Sequence, residues 1–178
     1  MKKLSLLLVV LFVLVGYDAL SAQNVTEGNP AISGLTLESV SKTFESLGLT
    51  LKTTGRGWFG YKIIKKGSNN VKIQCSVDLT PENKIGRIVI KTSTLKSAEV
   101  NTQFFKEKSF EMLRCVAKLP IKGVDNSKVK EEIETIIKNF KLGTAGEVIK
   151  QFTQGGIKYD IRNGEQEIEC QATITVAE

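Results

Sequence analysis

Cys75, Cys115 and Cys170 are the only thiols in a chain that contains no histidine. Histidine is the usual general base near neutral pH and the commonest metal ligand, so its absence excludes Ser-His-Asp and Cys-His hydrolysis and histidine-held metals. A site built from Asp, Glu, Lys, Tyr or Cys stays open. Three thiols allow three pairings, each leaving one cysteine over, and the sequence does not choose among them. Cys75 and Cys170 fall in the apolar rows of two alternating stretches, VKIQCSVDL and EIECQATITV, where a thiol behaves as a small apolar side chain. Cys115 lies off its helix's apolar stripe between Arg114 and Lys118, a basic setting of the kind that makes a thiol reactive. Without a histidine partner it reads as an adventitious or dimer-forming thiol. No cofactor or metal is expected, since loops spaced for calcium and paired carboxylates are not evident.

Binding is better served than catalysis. Gly55-Arg56-Gly57-Trp58-Phe59-Gly60 puts the only Trp beside an Arg in a glycine-lined turn, and both types are favoured binding anchors. Gln154 and Gly155 hold the equivalent positions late in the chain, so the turn itself does not demand an aromatic. The plainer reading is that Trp58 folds over an edge of the core. Phosphate cradling is weak, because no Lys-Ser or Lys-Thr follows the glycines. Lys62, Lys72, Arg87 and Lys91 are expected to share one open sheet face, either as a solvated surface or as a seat for an anionic partner. The formal charge of +6 is a modest bias and specifies no nucleic acid without a clustered stripe.

Met1-Lys2-Lys3, the apolar run Leu4 to Val15 and the small residues before Gln23 have the three regions of a secretory signal peptide. Cleavage is expected near Ala22, giving a secreted or periplasmic protein without a membrane span in its mature form, whose charge falls to about +5. The apolar run is short of the roughly 20 residues a span needs. Residues 23–34 read as a flexible, turn-rich lead-in, and residues 35–178 as one compact domain.

These side chains need a scaffold. Leu37, Val40, Phe44 and Leu47 recur at helical spacing before Gly48, which predicts a first helix. Strands are expected over 49–54, 58–66, 71–79 and 85–95, with Phe59, Tyr61, Ile63, Val71, Ile73, Cys75, Val77, Ile88 and Ile90 inward. A second helix starts at Asn101 or Thr102 and stops before Pro120, burying Phe105, Met112, Leu113, Val116 and Ala117. A third runs from about Ser127 to Leu142 and closes at Gly143, followed by strands over 147–152, 157–162 and 167–176.

The order recurs. Leu37 to Phe44 aligns with Ile133 to Phe140 at an offset of 96 residues, and Cys75 with Cys170 at 95, which predicts two helix-then-strands pseudo-repeats over 35–119 and 127–178. The fold class expected is α+β, an antiparallel sheet of about seven strands with three helices on one face. The expectation for function is a non-catalytic exported binding module that meets a protein or an anionic surface through the open sheet face and the Arg56-Trp58 turn. The alternative is an extracytoplasmic carrier of a small apolar ligand, with Cys75, Cys170 and Ala172 leaving room between curved sheet and helices.

Overall fold

The computed structural model describes residues 29–55, 57–94, 101–164 and 168–178. The expected leader, its cleavage near Ala22 and Arg56 lie outside the described residues. The elements in chain order are α1 (Leu37–Glu45), β1 (Lys52–Thr54), β2 (Gly57–Lys66), β3 (Asn69–Leu79) and β4 (Ile85–Thr94), then α2 (Thr102–Val116), α3 (Asn126–Asn139), β5 (Val148–Gln154), β6 (Ile157–Asn163) and β7 (Glu169–Val176). The strands form one antiparallel sheet in the order β1-β2-β3-β4-β7-β6-β5. Three helices and a seven-stranded antiparallel sheet make the α+β class that the alternating patterns predict. Among the described residues no helix is long and apolar enough to cross a membrane.

Side-chain oxygens start each helix by taking up amides that the first turn leaves unpaired. Thr36 accepts from the Ser39 amide, Asn101 from that of Phe104 and Asp125 from that of Ser127. Gly48 closes α1 at φ +71°. The third helix ends three residues earlier than its pattern suggests. Phe140 turns to an extended conformation there and is buried edge-on against Phe110, with ring centroids 5.4 Å apart. Burial of one aromatic outweighs another turn of helix.

Register fixes the faces. Cys75 lies opposite Ile90, and Ile90 opposite Ala172, so Val71, Ile73, Cys75, Val77, Ile88, Ile90, Cys170, Ala172 and Ile174 share one side, here the thiol face. All are buried. On this side α2 lies over β3, β4 and β7, and the buried Thr92 and Ser109 hydroxyls meet at 2.6 Å. Ser109 donates to the Phe105 carbonyl, which leaves Thr92 as donor to Ser109. α3 packs on α2 and reaches β5, where Lys150 pairs with Glu132.

The recurring order does not produce superposable halves. β3 and β7 both run antiparallel to β4 on its two sides, so they are parallel to each other, with Cys75 and Cys170 on the same face. Matching them face for face is a translation across the sheet, which carries β2 onto β4 and not onto β6. The two meanders are laid out in opposite senses from β4. The expected superposable duplication is therefore corrected to a repeated element order, helix then antiparallel strands.

Candidate functional site

β2 decides what the surface looks like, because both of its alternating rows contain apolar residues. Trp58 pairs with Val77, Gly60 with Cys75, Lys62 with Ile73 and Ile64 with Val71, so the even-numbered row lies on the thiol face. Phe59, Tyr61, Ile63 and Lys65 stand on the opposite face, beside Ser76, Gln74, Lys72 and Asn70. This reverses the expected inward placement of Phe59, Tyr61 and Ile63. Gly60 supplies the physical reason. A Cβ there would stand 2.4 Å from the Thr50 carbonyl oxygen, so only glycine lets the chain from α1 cross the thiol face on its way to β1. The more apolar row is left facing outward, with Tyr61 58% and Ile63 40% exposed.

The expected basic cluster separates. Lys62 belongs to the thiol face and lies across Gly48, where a Cβ would be 2.2 Å from its Nζ. Its ammonium rests at the C-terminal end of α1, a favourable place for a cation. Arg87 is joined to its cross-strand neighbour Asp78 at 2.6 Å, and Lys91 to the buried carboxylate of Glu169 at 3.2 Å. Lys72 alone of the four stands on the opposite face without an ion pair to a described residue, its Nζ 5.2 Å from the Tyr61 ring centroid. Trp58 is half-buried and packs on the core, as the plainer reading has it. The apolar side chains of β2 on the opposite face are Phe59, which is half-buried, and the exposed Tyr61 and Ile63.

A second signal, missed by patterning, runs through the same segment. Between Ser46 and Val77 there are six cations and no carboxylate, which equals the whole formal charge of +6 on the chain. Lys52, Lys62, Lys65, Lys66 and Lys72 make no ion pair with a described residue. The rest of the chain balances its 19 Asp and Glu against as many cations, some in direct pairs such as Arg114 with Glu134, Lys108 with Glu111, Lys150 with Glu132 and Arg162 with Asp160. The Glu134 carboxyl is held below its usual range by its hydrogen bond from Arg114. Positive potential is thus concentrated at the β1-β2-β3 end of the sheet, where Lys52, Lys65 and Lys72 flank Phe59, Tyr61 and Ile63 on one face.

The cysteines form no disulfide. All three are free and buried. β4 separates Cys75 from Cys170, which is also offset by two residues along β7, so strand spacing puts their backbones about 12 Å apart, beyond the roughly 7 Å that a disulfide spans. Burial, and then the neighbouring Asp78, pushes the Cys75 thiol up to about 12; burial and then Glu169 do the same for Cys170. Cys115, which its spacing sets off the apolar stripe of its helix in a basic setting, is covered in the structure. It is 5% exposed, with Sγ 3.4 Å from the Ser46 hydroxyl at the end of α1, and the adjacent Arg114 is turned to Glu134.

Among the described residues no group of three or more Cys, Asp or Glu side chains could hold a metal. A cleft of about 380 Å³ between α3 and β5 is lined by Lys128, Glu131, Glu132, Thr135, Phe152, Thr153 and Gln154. The small inward side chains Cys75, Cys170 and Ala172 are fully covered within the continuous apolar core. No family model matches the chain, and no curated protein or solved structure is significantly similar to it.

Proposed function

We propose that this is an exported, non-catalytic binding module that engages an anionic partner through the β2-β3 hairpin and the sheet face beside it. The observation that carries the reading is the coincidence of two features on one hairpin. All of the chain's excess positive charge lies between Ser46 and Val77, and the two most exposed large apolar side chains of that segment, Tyr61 and Ile63, stand among those cations. A solvated sheet face would need neither. Cations without carboxylate neighbours gain by meeting an anion, and exposed apolar side chains gain by being covered.

Trp58 sits in the same hairpin and is the chain's only tryptophan, so it serves as an internal reporter. Titration of the protein with polyglutamate at low salt should change Trp58 fluorescence saturably. Raising ionic strength from about 50 mM to about 500 mM should weaken binding about ten-fold or more, since the cations are solvent-exposed and screened. Absence of binding to polyglutamate and to phosphatidylglycerol vesicles alike would overturn the reading.

A further inference from the structure

Resting on that reading of the hairpin, we infer that the outer edge of β2 is a strand-addition site for an extended peptide segment carrying acidic residues. β1 pairs only with Gly57, Trp58 and Phe59, so Gly60 to Lys66 have no strand beside them among the described residues. An edge of this length presents unpaired amides and carbonyls in the plane of the sheet, the arrangement that takes up an additional strand. The chain from α1 does not block it in that plane, because Thr50 and Leu51 pass Gly60 on the thiol face.

Charge decides which strand fits. A second copy of β2 paired about a two-fold axis through Ile64 would set Lys62 against Lys66 on the same face, and like charges directly opposite are destabilising. The edge is thereby guarded against its own kind and open to the complementary one. An antiparallel strand opposite residues 61–66 would place acidic side chains against Lys62, Lys65 and Lys66 and apolar ones against Tyr61 and Ile63. Lys72, over the Tyr61 ring, borders the same face. The other sheet edge, β5, carries no comparable charge, since Lys150 is paired with Glu132.

The test uses the full chain and four labelled peptides. One has the order Glu-Glu-Thr-Val-Glu-Phe, one is its scramble, and two carry N-methyl groups on alternate amides of the ordered peptide in the two registers. Strand addition predicts at least a ten-fold preference for order over scramble. It also predicts that one N-methyl register abolishes binding while the other is tolerated, because alternate amides of an added strand face β2. Lys65→Glu should weaken the ordered peptide about ten-fold, and a peptide with Lys in place of its second Glu should regain the loss. Equal binding of all four peptides would overturn strand addition while leaving anionic docking intact. Binding only to phosphatidylglycerol vesicles would overturn it in the same way, and binding to none of these would overturn the docking reading as well.

Discussion

The buried thiols make the protein's alkaline stability a quantitative test of the core. Cys75 and Cys170 are raised from 9.0 to about 12 by burial. Their neutral form is favoured in the folded state, so the stability they confer is full below pH 9 and is lost as pH climbs toward 12. Each contributes a slope of roughly 1.4 kcal/mol per pH unit in that window, hence a loss of about 2 kcal/mol at a pH near 10.5. Cys75→Ala should cost about 1 kcal/mol at neutral pH, where only a buried sulfur is removed. At a pH near 10.5 the order should invert, with the variant more stable than the parent by about 1 kcal/mol. Urea unfolding in reducing buffer at the two pH values reads this directly, and Cys170→Ala should repeat it. A stability difference that does not change with pH would refute the burial of these thiols as drawn.

Face assignment in β2 predicts a contrast between neighbours. Ile63→Ser should change stability by no more than about 0.5 kcal/mol, whereas Ile73→Ala in β3 should cost 2–5 kcal/mol, about the range for a core truncation, both read by urea midpoints. The hydroxyl pair predicts that Thr92→Val and Ser109→Ala each cost about 1 kcal/mol, and that the double variant costs less than their sum in a mutant cycle. Asn101→Ala should remove about 1 kcal/mol by uncapping α2. In the native protein a small aromatic disulfide reagent should find no fast-reacting thiol, and three in denaturant; a fast-reacting Cys115 would contradict its place beneath Ser46.

Helices and the central strands were readable because one period accounts for each of them. Phe105, Met112, Leu113 and Val116 are buried as their spacing requires, and Cys75 and Cys170 lie in the core row. β2 was not, because both its rows are plausible faces and the deciding contact, Thr50 over Gly60, is not local in pattern. Arg87 and Lys91 looked available for binding until register set them beside Asp78 and Glu169, a property of strand pairing that alternation does not specify. The mirror layout about β4 was hidden for the same reason, since spacing along the chain carries no handedness. The carboxylate-free run from Ser46 to Val77 was legible all along, as a charge pattern lying across element boundaries.

The proposed anion binding by the β2-β3 hairpin depends on where its cations lie and not on net charge. Two double variants of equal formal charge separate these: Lys65→Glu with Lys72→Glu in the hairpin, and Lys128→Glu with Lys141→Glu on exposed positions near α3. Polyglutamate titrations at low salt should show the first weakened by about 2 kcal/mol, roughly thirty-fold, and the second within about three-fold of the parent. Equal loss in both would contradict the account.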